Sequence, residues 1–209
     1  MAGKPVDTES NANEADDGAE SFNVKSITLQ LQSKLVNALP NRILRLFLDD
    51  ASVRLFDNIC ALLKMYTGCV KTASMTTKRL FKMNVRLAIY SSTDVLNEHE
   101  QNMTFDFHDR CHQAAEIVLR LGRPKRRLLP GISPTIQKLI QSVDEAKCLA
   151  LAITERHMSE NAREKFRSCV DELNNQAFFI TIFGKDLRYR ELMEKVYDDV
   201  EDLMDRGLF

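Results

Sequence analysis

The chain has 209 residues, 44% hydrophobic and 28% charged, with 29 Lys and Arg against 30 Asp and Glu for a formal net charge of −1. That length suits one ordinary domain, and so small a net charge removes the overall field that would draw in nucleic acid. Seven Gly and five Pro supply few turns for a many-stranded sheet, so long helices fit better. The five cysteines, Cys60, Cys69, Cys111, Cys148 and Cys169, are odd in number and never form CxxC, which reads as reduced core thiols of a cytoplasmic protein. The N-terminus lacks the apolar core of a signal peptide, and no stretch approaches the roughly 20 apolar residues that span a bilayer. Membrane contact is therefore expected to be transient and peripheral.

Residues 1–21 carry Asp7, Glu9, Glu14, Asp16, Asp17 and Glu20 against Lys4 alone, the composition of a disordered acidic tail. From Val24 the pattern becomes helical: Val24, Ile27, Leu31 and Leu35 recur beside Lys25, Gln30, Gln32 and Lys34, predicting an amphipathic first helix over 22–39 that Pro40 closes. Two readings of it stay open, packing on the core or lying on a membrane or partner surface. Arg42 and Arg45 fall in the apolar connection that follows. Asp49 or Asp50 is expected to cap a second helix through Leu55, Phe56, Ile59, Leu62, Leu63 and Tyr66, stopping near Gly68. A third runs from Lys71 to about Tyr90, with Leu80, Phe81, Val85, Ala88 and Ile89 on one face and a ridge of Lys78, Lys82 and Arg86. A fourth is expected from about Asp94 to Leu121.

The basic loop Arg123-Pro-Lys-Arg-Arg127 is either a solvated connection or a patch for nuclear import or anionic lipid. Ser133-Pro134 starts a fifth helix, expected to reach His157. Ser159 caps a sixth that shares Phe166, Cys169, Val170 and Leu173 on one face. Asn174-Asn175 interrupts before Gln176–Phe183, Gly184 ends that piece, and Asp186 to Arg206 is the last helix, closed by Gly207. The fold class is all-α, one domain of about six or seven helices over 22–209.

Glycine-rich phosphate loops, GxSxG, HExxH and paired CxxC are all missing, so no enzyme is expected. His108, Cys111 and His112 sit within about one turn, but no third or fourth ligand follows at suitable spacing, and a packed helix is the preferred reading over a metal site. Asp49-Asp50 reads as helix capping rather than an acid pair.

Ser21-Phe-Asn-Val-Lys-Ser-Ile-Thr-Leu-Gln-Leu-Gln-Ser-Lys-Leu35 resembles the opening of the tumour necrosis factor alpha-induced protein-eight family, also called TIPE proteins. In the same order come Leu46-Phe-Leu-Asp-Asp-Ala-Ser52, Leu55-Phe-Asp57, Lys64-Met-Tyr-Thr67, Leu80-Phe-Lys-Met-Asn-Val-Arg-Leu-Ala88, His112-Gln-Ala-Ala115, His157-Met-Ser159 and Phe183-Gly184. The resemblance covers about Ser21 to Leu208 through many weak matches. It implies a cylinder of mostly antiparallel helices, residues 40–209, around an elongated apolar cavity for lipid acyl chains, with a basic entrance for phosphoinositide head groups. It also implies cytoplasmic proteins that carry or present phospholipid, dock on membranes through the first helix, and act in apoptosis and inflammation signalling.

Carried over by position, Lys25, Lys34, Arg42, Lys82 and Arg86 fall where the family has basic residues. Ser91-Ser92 stands where the family has a His-Arg pair, and His108 stands near a family arginine, with Arg110 or the basic loop Arg123 to Arg127 as a substitute. The expected cavity lining is Phe56, Ile59, Leu63, Phe81, Val85, Ile89, Val118, Leu139, Val143, Phe166 and Phe179, each of which reads equally well as ordinary core. No catalytic residue, metal or cofactor is expected beyond a bound phospholipid, and no nucleic acid. The other reading is a helical adaptor that binds signalling proteins through its acidic tail or through Asp198, Asp199, Glu201 and Asp202.

Overall fold

A computed structural model of the chain describes residues 50–122 and 134–207. Every regular element among them is a helix: α1 Asp50–Thr67, α2 Val70–Ser91, α3 Glu98–Gly122, α4 Pro134–Ile153, α5 Glu160–Leu173, α6 Gln176–Ile182 and α7 Leu187–Asp205. The acidic tail and the first amphipathic helix expected over 22–39 lie outside the described residues, as does the basic loop 123–127.

Local chemistry sets most boundaries. Gly68, at φ 65°, takes the left-handed position after α1 that side chains resist. The α2 helix ends where three hydroxyls compete for its last carbonyls: Ser91 Oγ donates to Leu87 O, and Ser92 Oγ and Thr93 Oγ1 both donate to Ile89 O. Ser159, Asn175 and Asp186 each accept a backbone N–H at the start of α5, α6 and α7.

Two expected boundaries are corrected. The helix expected from Asp94 begins at Glu98, because Asn97 Oδ1 accepts the Glu100 N–H at 2.8 Å while Glu100 Oε2 accepts the Asn97 N–H at 2.9 Å, a reciprocal cap that fixes the start. The helix expected to reach His157 stops at Ile153. Thr154 turns its hydroxyl onto Ala150 O, and tertiary bonds draw Arg156 and His157 out of helical register.

Bonds between helices give their directions. Glu100 meets Arg156 and Arg110 meets Glu145, so α3 and α4 run antiparallel. Thr76 meets Cys169 and Tyr90 meets His157, which opposes α2 to α5. Lys147 meets Asp171 while Ile140 meets Asn174, opposing α4 to α5. Arg54 meets Asp199 near the end of α7, and Tyr66 meets Phe178 just before α7 begins, so α1 and α7 are opposed as well. The result is one helical domain.

Its apolar interior falls into three clusters. The largest joins α1, α3, α4, α6 and α7 with Ala73 of α2. The second joins Met83 and Leu87 of α2 to Leu96, the end of α4, and Phe166 and Val170 of α5. The third packs Phe81 and Val85 of α2 on Val53, Phe56 and Ile89, with the Phe56 and Phe81 rings edge to face at 5.1 Å. Thus α2 is a wedge: Phe81 and Val85 face one cluster, Met83 and Leu87 another. At the end of α3, a Cβ on Gly122 would lie 2.6 Å from the Tyr197 ring, so glycine is required there for close approach to α7.

Candidate functional site

The wedge leaves α2 one remaining face. Lys71, Met75, Lys78, Arg79, Lys82 and Arg86 recur at steps of three and four, forming one stripe along the helix away from both buried flanks. Lys71 and Met75 are exposed, and Lys78, Arg79, Lys82 and Arg86 are half-buried, as long cations are when their stems lie along neighbouring surface. The helix contains five cations and no acidic residue. Like charges thus share a face with no acid in the same helix.

Two of the head-group candidates, Lys82 and Arg86, therefore sit together. His108 and Arg110 are on α3 instead. Arg110 is turned toward α4, with Nε 3.0 Å from Glu145 and Nη1 donating to Gln113 at 2.9 Å, while His108 is exposed beside Phe107. Lys25, Lys34 and Arg42 lie outside the described residues.

The candidate lining residues are spread over all three clusters. Ile59, Leu63, Val118, Leu139 and Phe179 belong to the first, Phe166 to the second, and Phe56, Phe81, Val85 and Ile89 to the third. Val143 packs against both the first and the second.

Two carboxylates are buried against expectation: Glu100, which the sequence did not single out, and Asp199, which it placed on the surface. Glu100, its side chain 5% exposed, accepts two bonds from the Arg156 guanidinium at 2.8 and 2.7 Å and lies 3.4 Å from His157 Nε2. The Arg156 bonds, opposed by burial and helped by the Asn97 N–H, pull its carboxyl down to about 2. Asp199 is equally buried and accepts Arg54 Nε at 2.8 Å and Asn58 Nδ2 at 2.7 Å. Of the four acids expected as surface on the last helix, Asp199 is thus internal structure, while Asp202, its side chain 44% exposed, lies 3.6 Å from Arg54 and 3.7 Å from Arg206. The N97-x-x-E100 pattern was a visible signal for the first carboxylate; nothing local marks Asp199.

Among the described residues no group of three or more His, Cys, Asp and Glu side chains is placed to hold a metal. Burial pushes the Cys111 thiol up to about 12 and the Cys169 thiol to about 11. The exposed Cys69 thiol is held below its ordinary value, chiefly by a hydrogen bond with Thr72. No helix among the described residues is long and apolar enough to cross a membrane.

Comparison with known proteins identifies relatives of the chain. The profile of the family described as Tumor necrosis factor alpha-induced protein 8-like matches residues 22–207. Among curated proteins the chain is similar to Tumor necrosis factor alpha-induced protein 8-like protein 2 of Otolemur garnettii, at 23% identity over 90% of this chain and 98% of the relative. It is similar to the Bos taurus protein of the same name at 24% identity with the same coverage. Against the 8-like protein 1 of Danio rerio it is 24% identical, again covering 90% of this chain and 98% of the relative.

Proposed function

The chain belongs to the Tumor necrosis factor alpha-induced protein 8-like family, and from that premise we propose that it is a non-catalytic carrier of phosphoinositide or a related phospholipid in apoptotic and inflammatory signalling. It works in the cytoplasm and visits membrane surfaces transiently. The observation that carries this reading is the acid-free basic stripe of α2, where Lys82 and Arg86 would meet head-group phosphates through charge-assisted hydrogen bonds. Acyl chains would enter the apolar interior that borders α2, gaining about 0.8 kcal/mol per methylene removed from water. No step of chemistry is needed, because transfer requires only reversible binding.

The test is native mass spectrometry of protein purified from cells, together with exchange of labelled phosphoinositide between vesicles. Bound phospholipid is expected, and Lys82→Glu with Arg86→Glu should lower exchange roughly ten-fold, as two charge-assisted contacts are lost. Bulky residues at Val85 and Val143 should abolish loading. Protein that carries no lipid, exchanges none, and yet keeps its signalling partners would instead establish the adaptor reading.

A further inference from the structure

Among the described residues every arginine but two has a carboxylate within 3.7 Å; the exceptions are Arg79 and Arg86, both half-buried on α2. They stand seven positions apart, which puts them on one helix face about 10 Å from each other. Neighbouring helices do not supply the missing partner. Glu160 and Glu164 of α5 are paired within their own helix by Arg163 and Arg167, and Asp171 is held by Lys147. Glu172 shares the surroundings of the Cys169 thiol with Arg79, and Asp57 of α1 acts on Cys60, but neither comes within ion-pair distance of these arginines. An arginine keeps its charge at any ordinary pH and offers a fork of donors that matches a carboxylate. Two of them left without one on the same face point to an acid beyond the described residues.

Outside the described residues the acidic side chains of this sequence are Asp49 and the six from Asp7 to Glu20. Reach allows the six. Residues 21–49 join them to Asp50, and even at helical rise a segment of that length spans about 43 Å, against about 33 Å for the 22 residues of α2. The chain also enters beside the stripe, because Val53, one turn into α1, packs on Phe81 and Val85, the stretch of α2 that carries Lys82 and Arg86.

We propose that the acidic segment Asp7 to Glu20 lies along the basic stripe of α2 in the same chain, meeting Lys78, Arg79 and Arg86, and that an anionic head group has to displace it. An intramolecular ligand on a flexible tether has an effective concentration in the millimolar range, so ion pairs that are individually weak hold it in place. The displacement rests on the carrier reading, in which lipid phosphate binds the same stripe; the tail contact does not.

Zero-length carbodiimide coupling of the full chain reads the contact directly, because it joins a carboxylate to a lysine amine only where the two touch. Mass spectrometry should find amides between the acids of 7–20 and Lys78 or Lys82, lost at about 0.5 M salt, where exposed ion pairs are screened. Arg79→Gln with Arg86→Gln keeps both lysines and should lower their coupling about five-fold. An equal mixture of light and heavy-nitrogen chains distinguishes contact within one chain from contact between copies. The second readout is binding of a soluble short-chain phosphatidylinositol bisphosphate. Neutralising the tail by Asp7→Asn, Glu9→Gln, Glu14→Gln, Asp16→Asn, Asp17→Asn and Glu20→Gln should raise its affinity about ten-fold at low salt, as expected if the tail covers the stripe in about nine molecules of ten. Circular dichroism verifies that each variant keeps the helical fold. The proposal is overturned if the tail acids couple to no lysine or only to lysines away from α2, such as Lys138, Lys185 or Lys195. It is overturned equally if the stripe couplings join different copies, if they survive the arginine substitutions unchanged, or if the parent binds the lipid and neutralising the tail leaves its affinity as it was. Stripe couplings in a chain that binds no lipid with either tail defeat the carrier reading and leave the tail contact standing.

Discussion

The two ends of the bundle treat charge in opposite ways. Where α3 begins and α4 ends, a carboxylate is buried and bonded from three directions, by Arg156, the Asn97 backbone and His157. Where α1 turns into α2, the acids are missing from the sequence and apolar side chains stand exposed among cations. The first end spends its polar groups on holding the start of α3 to the turn after α4, so it is built for stability. The second carries Lys64 and Lys71 on its surface beside exposed Val70 and Met75.

Breaking that contrast should show most at Glu100. Replacing Glu100 by Gln removes the charge that Arg156 and His157 face, and urea denaturation should register a loss of about 2–3 kcal/mol, the low side for a broken buried pair because Arg156 is itself exposed and rehydrates. The same carboxyl predicts an acid signature. Its folded-state value of about 2 lies below its ordinary 4.5, so its contribution is complete above that ordinary value and is lost as pH falls through the folded one. Between those limits the wild-type midpoint should drop more steeply than that of Glu100→Gln; parallel curves would show that Glu100 does not carry the effect. A smaller loss, about 1 kcal/mol, is expected for Asn97→Ala, which removes one half of the reciprocal cap and leaves the guanidinium pair. Least of all is expected from Leu187→Ser at the other end: 69% exposed, it should change stability by less than about 0.5 kcal/mol, and a larger loss would mean that this apolar surface is part of the fold.

The sequence was most readable where a boundary has its own chemistry. Gly68, Ser159, Asn175 and Asp186 all sit at the breaks that their side chains or backbone freedom imply. It was least readable where distant residues decide. Nothing near His157 reveals that Tyr90 will take its carbonyl or that Glu100 will take Arg156, so the helix was expected to run on past Ile153. The candidate site divides along the same line. Spacing alone puts Lys82 and Arg86 on one face, whereas Arg110 looks equally available in sequence and is directed to Glu145 only by the packing of α3 on α4. Asp199 shows the limit from the other side, one acid in a run of similar ones, selected for burial by Arg54 and Asn58 from far along the chain.

The acid-free face of α2 has a consequence for folding as well as recognition. Lys78, Lys82 and Arg86 follow one another at four-residue spacing, and like charges so placed weaken a helix by about 0.2–0.5 kcal/mol per pair. The wedge of Phe81, Val85, Met83 and Leu87 between its neighbours holds the helix against that internal repulsion. On the proposed carrier reading, a phospholipid head group at the stripe would stabilise the folded chain by mass action, linking binding to folding through one helix.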